Sequence, residues 1–440
     1  MGRFGAERAA CNTQSMRRLG LLALTVLALA GCQQSSAGGA FSDQPSPVST
    51  AAPRAQLDLD ALRDLRSRVA ASLTGHVAGG DLAPTWGPGT LVPLAGPYRE
   101  DAIAADTLGL MAARSLAAHP TGGAGDALAP QAQALASASA AAVRQLDGPQ
   151  GAAYLLLAQA SPTPASGPSA TDTPDPCVSP VPGQERPQCL RKQVADGLLA
   201  AWYASGTKMF LHLGDTTTVY RPVEAISVGA ALVVAGYAEH DESKIQAGAN
   251  IIAVEMRNDF DPHFGLAYGL VSASIKGGHD VADSTTHLAD QAGIAEALLQ
   301  AFDASREQQY FAAARTVLQP LLDEAVGIRG ESGYVTAFDL RTAGPADGAP
   351  IDVEAAVLTL RAARRYDRDD GGRFAHLEEN ATRALLAGAA RSNPSSGLPG
   401  ILPAQGSALR SGVVSALAVV TLDEVVADLA PSPSPSPSPR

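Results

Sequence analysis

Apolar residues recur at helical spacing along most of the chain, and the pattern is clearest over residues 286–326. In 286–302, Leu288, Ala292, Ala295, Leu299 and Phe302 share one face, which Ile294 and Leu298 widen. Only the start of this stretch is strongly polar, with His287, Asp290 and Gln291, so the helix is expected to be mostly buried. A second stretch, 306–325, is two-faced: Tyr310, Ala314, Val317 and Leu321 oppose Glu307, Arg315, Gln319 and Asp323. Ser305 followed by Gln308 is a capping-box signature for its start, and Pro320, which lacks an N–H, predicts a kink. The link 303–305 is short enough to force an antiparallel hairpin.

The same plan repeats. Helical patterns fall at 57–77, 100–118, 128–146, 151–160, 190–213, 222–239, 243–257, 286–302, 306–325, 351–366, 373–391 and 409–429. Polar residues open alternate members: Arg99 and Asp101, Arg221 and Glu224, His287 and Asp290, Asp352 and Glu354, then Arg410. The intervals from Arg221 to His287 to Asp352 to Arg410 are 66, 65 and 58 residues, an internal repeat by period and pattern. Stretches such as 225–235 and 413–420 are apolar all round, whereas partners such as 373–391 are two-faced. One set is therefore inner and the other outer. Six of each give an all-α (α/α)6 toroid, and the count closes only if 57–77 packs beside 409–429.

Loop lengths orient this ring. Inner-to-outer links (303–305, 240–242, 367–372) are short, and outer-to-inner links (258–285, 326–350, 392–408) are long. All long loops thus gather on the rim where the inner helices begin, two of them with β-like runs at 264–274 and 333–340. Loops over a rigid scaffold are where sites usually sit, and helix N-termini bring partial positive charge there.

The run from Asp290 to Asp303, then Tyr310 to Leu318, then Gly333 to Asp339 resembles a hairpin unit of the six-hairpin glycosidase superfamily and is similar to N-acylglucosamine 2-epimerase-like toroids. Asp352 to Arg364 resembles the next inner helix. The resemblance covers 221–429 well and the N-terminal half only by helix count. It is structural, carries no catalytic signature, and implies glycoside hydrolase-, lyase- or epimerase-like chemistry only as a prior.

Composition adds an address. Arg17 and Arg18 precede an apolar run, 19–31, that ends Leu29-Ala30-Gly31-Cys32. This is a signal peptide rather than a spanning helix, and its end resembles the lipobox of bacterial lipoproteins. The resemblance implies cleavage before Cys32, lipidation of its sulfur, and a membrane anchor in the bacterial cell envelope. Residues 32–55 are a Ser/Pro-rich tether, 56–430 the toroid with a Pro/Ser/Thr-rich insertion at 161–187, and 431–440 a Ser-Pro tail. The formal net charge is −12, and no basic run is present, which argues against nucleic acid as a partner. Cys177 and Cys189 are expected to form a disulfide across the insertion in an oxidising compartment. No Cys/His spacing resembles a zinc site, so no metal or cofactor is expected.

Candidate chemistry lies on the long-loop rim. Asp290, Asp352 and Glu354 start neighbouring inner helices, where carboxylates can converge as glycoside hydrolysis needs; helix capping is the plain alternative. His287 is a candidate acid/base. Arg221, Glu224 and Arg410 are candidate ligand contacts, and guanidinium forks with helix N-termini favour an acidic or polyhydroxylated ligand. Trp86, Tyr98 and Tyr268 are candidate sugar-stacking residues. The chain holds 2 Trp and 5% aromatics, too few for a long polysaccharide groove, so a small carbohydrate-like or acidic ligand suits it better. A non-catalytic envelope scaffold with a degenerate site is the alternative.

Overall fold

A helix that is apolar all round needs cover on every side, and the chain supplies it with a ring of helices inside a second ring. The computed structural model describes residues 55–87, 89, 96–97, 102–143, 152, 156, 187–323, 333–346, 350–403 and 407–429. Among them are eleven α-helices: α1 (Leu59–Thr74), α2 (Ala102–Ala118), α3 (Ala132–Val143), α4 (Pro187–Trp202), α5 (Pro222–Glu239), α6 (Glu242–Asn258), α7 (Leu288–Ser305), α8 (Gln308–Leu318), α9 (Val353–Asp370), α10 (Ala375–Ser392) and α11 (Gly412–Leu429). The inner helices α5, α7, α9, α11 and α2 pack in that order side by side, and α6, α8, α10, α1 and α3 back them. The chain has the (α/α)6 toroid fold.

The inner helices are buried on nearly every face. In α7, every residue from Leu288 to Phe302 is buried, and in α11 so are Gly412 to Asp423. Gly229 and Gly248 let α5 and α6 touch backbone to backbone, because a Cβ on Gly248 would run into the Gly229 carbonyl. The hairpin turns end in left-handed residues: His240 (φ 57°) after α5, Arg306 (φ 59°) after α7 and Gly371 (φ 75°) after α9.

The ring closes as the helix count requires. α1 packs on α11, and Arg66 of α1 reaches Asp423 of α11 at 2.6 Å with both side chains buried. A second closure runs through the rim strands. A short strand leads into each of α5, α7, α9 and α11: Thr217–Tyr220, Thr285–His287, Ile351–Asp352 and Arg410–Ser411. Each pairs antiparallel with a strand in a long loop: Leu270–Ser274, Ala337–Asp339, Ile401–Leu402 and, for the last, Thr85–Trp86 at the N-terminal end.

Several boundaries differ from the sequence expectations. The helix expected over 190–213 stops at Trp202, and Tyr203–Ala204 pairs with Met209–Phe210. The 128–146 stretch divides into a 3-10 segment, Ala124–Gln131, and α3, because Pro130 denies the backbone a donor. The Ser305–Gln308 capping box does not form. Ser305 ends α7, where its hydroxyl donates to the Ala301 carbonyl at 2.8 Å and accepts from Glu307 N at 3.1 Å. Pro320 does not kink α8 but ends it at Leu318, with a 3-10 turn, Gln319–Leu322, following. Of the 151–160 stretch, Ala152 and Leu156 are helical and buried. Cys32, Cys177, Tyr98, Arg99, Asp101, residues 32–54 of the tether and the tail lie outside the described residues.

Candidate functional site at the N-terminal ends of the inner helices

The strand-to-helix junctions place the predicted residues at equivalent positions around the rim. Arg221 precedes α5, His287 precedes α7, and Asp352 precedes α9, each in extended backbone at the helix N-cap. Asp290 and Glu224 follow within the first turn of their helices, as does Glu354. A carboxylate in the first turn is favoured by the helix dipole and by free N–H groups. Two of the four fill that capping role. Glu224 Oε2 accepts from Arg221 N at 3.0 Å, and Asp352 Oδ1 accepts from Ala355 N at 2.9 Å.

Asp290 has a different partner. Arg221 closes on it with both arms of its guanidinium fork; Nε lies 2.9 Å from Oδ2, and Nη2 meets Oδ1. The pair is buried. Burial pushes the Asp290 carboxyl up, and Arg221 and His287 oppose this without reversing it. Burial works against the Arg221 charge too, yet Asp290, with Glu224 and Glu354, holds its guanidinium above the ordinary range.

Asp352 is 1% exposed, and burial pushes its carboxyl up to about 7, with the Asp290 charge adding to the effect and the bond from Ala355 N opposing it. Glu354 is wholly buried, and its carboxylate lies so close beneath Gly96 that a Cβ there would overlap it. Pro97 similarly crowds Gly293 of α7. Gly96 and Pro97 therefore lie against the inner helices at the cluster. The structure thus brings Arg221, Glu224, His287, Asp290, Asp352 and Glu354 together into one acid-rich, largely buried group.

The remaining candidates stand apart from it. Arg410 donates to Ser396 Oγ at 3.2 Å, and burial depresses its pKa. Trp86 is stacked on His76 with ring centroids 4.0 Å apart, donates to the Ser396 carbonyl at 2.8 Å, and packs on Gly397. These contacts make Trp86 and Arg410 part of the ring closure, and Trp86 is half-buried there. Tyr268 is half-buried beside Asp259 and Asp261. Arg221 itself is engaged by Asp290, with Glu224 and Glu354 also in its surroundings.

Sequence reasoning passed over two further buried groups. Deeper in the ring, Glu296 of α7 takes Arg361 Nε at 2.9 Å and Arg365 Nη1 at 2.6 Å, both from α9. Beside the rim, Tyr220, Glu255, Asp259 and His279 converge. An i,i+4 pair of acids at the end of an amphipathic helix, Glu255 and Asp259, was the available signal for the second.

The fold is shared with carbohydrate-processing toroid enzymes. The structure is similar to an unsaturated glucuronyl hydrolase specific for heparin, with TM-score 0.60 and 13% identity over 84% of this chain and 98% of that one. The unsaturated glucuronyl hydrolase of Bacillus sp. GL1, responsible for the degradation of glycosaminoglycan, matches with TM-score 0.57 and 13% identity over 83% and 96% of the two chains. A possible member of the GH105 family from Salmonella enterica serovar Paratyphi A matches with TM-score 0.55 and 11% identity over 88% and 99%. No protein-family model matches the sequence, and no curated protein sequence matches it.

Proposed function

We propose that the toroid is a carbohydrate-processing enzyme, with Asp352 as the group that holds and delivers a proton and Asp290 as the carboxylate kept charged beside it. The observation that carries this is the asymmetry of the two acids. Burial raises both carboxyls, Asp352 to about 7, but Asp290 faces a bidentate guanidinium that opposes the rise and favours its ionised form. Glycoside cleavage needs one neutral and one charged carboxyl at one site. The acid-rich surroundings suit the hydroxyl groups of a sugar better than a second carboxylate. Two of the neighbours named above are unsaturated glucuronyl hydrolases, which supports a carbohydrate substrate; the acid-rich surroundings favour its neutral, polyhydroxylated part.

The purified protein should turn over at least one member of a panel of neutral and uronyl oligosaccharides. Asp352→Asn should abolish that turnover and keep the fold, since Asn also caps a helix. A panel without turnover, or an Asp352→Asn protein as active as the wild type, sinks the catalytic reading. A second reading, a ligand-binding protein with a degenerate site, is favoured by the closure of Arg221 on Asp290 and of Gly96 over Glu354. It expects thermal stabilisation by a sugar without turnover.

The lipobox-like segment supports a lipid anchor on Cys32 and a place in the bacterial cell envelope. Cys32→Ala should release the protein to soluble fractions or leave it unprocessed. A variant that is processed and sediments with membranes like the wild type rules the anchor out.

A further inference from the structure

Behind the rim sheet, four polar side chains converge in otherwise apolar surroundings. Glu255 and Asp259 come one turn apart from the end of α6 and are both wholly buried. His279 opens the strand His279–Asp283, and its side chain is 12% exposed. Tyr220 ends the strand Thr217–Tyr220 and is buried. His279 Nε2 lies 2.9 Å from Asp259 Oδ1 and 3.5 Å from Glu255 Oε2. The Tyr220 hydroxyl donates to Glu255 Oε2 at 2.6 Å and lies 3.0 Å from the same His279 nitrogen. One oxygen from each acid and one imidazole nitrogen all fall within 4.8 Å of one another.

Two features set this group apart from an ordinary ion pair. First, Asp259 is wholly buried, yet His279 Nε2 at Oδ1 is its one close cationic neighbour among the described residues, and Oδ2 has no hydrogen-bond donor. A buried carboxylate oxygen without a donor is costly unless a cation or a proton fills the space before it. Second, the formal charges do not cancel without an added positive species. Two carboxylates face a single imidazole, and the phenol of Tyr220 brings no positive charge. A comparable acidic group elsewhere, Asp196, Glu239 and Asp241, already has its cation: Lys244 Nζ reaches Asp196 Oδ1 at 2.5 Å, Asp241 Oδ2 at 3.4 Å, and Glu239. No Lys or Arg is paired with the Glu255 group among the described residues.

We propose that Glu255, Asp259 and His279 form a binding site for a divalent transition-metal ion, Zn2+ or Mn2+ in class. The donor set is one imidazole and two carboxylates: the imidazole favours a borderline ion such as Zn2+, the carboxylates also admit Mn2+, and the mixed set disfavours an oxygen-only ion such as Ca2+. Ligand atoms about 2 Å from a common ion lie roughly 3–4 Å apart, and the nitrogen-to-oxygen separations here are 2.9 and 3.5 Å. A neutral imidazole and two carboxylates balance one divalent charge. The Tyr220 hydroxyl then acts as the outer support that orients Glu255. The ion ties the end of α6 to the strand His279–Asp283, and the Tyr220 hydroxyl on Glu255 links it to the strand that delivers Arg221, one residue on, to the rim. Its role is positioning, and it stands whether or not the rim site is catalytic.

The test uses the untagged protein, stripped with a chelator and then titrated with Zn2+ and with Mn2+ by calorimetry and thermal shift. One ion per chain should bind and raise Tm by several degrees. Asp259→Asn and His279→Gln should each weaken binding about tenfold or more, while Glu354→Gln, at the rim, should leave it unchanged. Absence of saturable binding by both ions overturns the site, as does binding that neither variant weakens. Such results would mean that the group is balanced by protons alone. Should the variants fold poorly, the wild type decides: Zn2+ must alter the Nε2 resonance of a largely buried histidine in a long-range 15N spectrum, and an unchanged histidine spectrum at stoichiometric Zn2+ overturns the proposal.

Discussion

Two ionic groups line the inner helices at different depths, and they differ in what stands at the centre: one arginine among acids at the rim, one glutamate between two arginines further in. At the rim, Arg221 stands among Glu224, Asp290, Asp352 and Glu354. Two turns further along α7, Glu296 stands between Arg361 and Arg365, which extend to Glu424 at 3.1 Å and Asp303 at 3.5 Å. The order agrees with the helix dipole, acids near N-terminal ends and bases further down. The chemical consequence is unequal. A guanidinium cannot shed its charge inside a protein, so the deep group must remain an ion network. A carboxylic acid can take up a proton, and at the rim Asp352 is held so to about neutral pH. The deep group is suited to holding α7 and α9 together, and the rim group to exchanging a proton.

The sharpest way to break this comparison is Glu296→Gln. It leaves two buried guanidiniums facing a neutral amide, and neither can neutralise itself. Removing one partner of a buried ion pair costs about 3–5 kcal/mol. Burial works against the Glu296 charge, yet Arg365 and Arg361 hold its pKa below the ordinary range, so its stabilising effect is present above the unfolded carboxyl pKa and lost as pH falls. The urea midpoint at neutral pH should drop markedly. A drop of a few tenths of a kcal/mol would show that water or neighbouring acids already satisfy the arginines.

Arg221→Met makes the matching cut at the rim and should cost less, about 1–3 kcal/mol. Asp290 can protonate once its partner is gone. Its folded pKa, already raised, would rise further, so the lost stability should grow as pH increases from 5 to 8. Denaturation curves at the two pH values check this. Equal losses at both would mean that Asp290 keeps its charge by another route.

Much of the frame behind these groups was legible in the chain. The 66- and 65-residue intervals put Arg221, His287 and Asp352 at equivalent N-caps, and alternating apolarity separated inner from outer helices. Those signals are local or periodic, so one sequence displays them. Pairings were not legible. Nothing local says that Arg221 turns toward Asp290, 69 positions away, rather than outward to a ligand. Nor does anything local show that Trp86 is covered by His76 and Gly397. The end of a helix can be misread for the same reason: Ser305 satisfies the capping pattern, but Arg306 adopts the left-handed conformation that ends α7 one residue later.

Asp352→Asn sharpens the rim side of the comparison through stability alone. The wild-type carboxyl has its pKa raised from 3.8 to about 7. A raised carboxyl contributes its full stability below the unfolded pKa and loses it as pH rises through the folded one. Above pH 7 the native state therefore carries an ionisation cost on the order of a few kcal/mol. Asn keeps the cap without that cost, so the variant should melt higher than the wild type at pH 8, with a smaller gain at pH 5. A variant less stable at both pH values would show that the carboxyl donates a hydrogen bond that Asn cannot replace.

The smallest effect comes from the outer of two arginines on one helix, one buried in a pair between helices and the other exposed in a pair within its own helix. Arg66 of α1 is buried against Asp423, which also takes His119 Nδ1 at 2.8 Å, and it joins the ends of the ring. Arg68, two positions on, meets Asp64 at the same 2.6 Å, but the two side chains are 45% and 61% exposed. Equal distances predict equal strength only if the surroundings are equal, and water weakens the outer pair by screening it. Arg68→Ala should therefore change stability by no more than about 0.5 kcal/mol, and added salt should erase even that. A loss above about 1 kcal/mol would mean that the Arg68 stem covers apolar surface on α1, and that depth alone does not separate the two arginines.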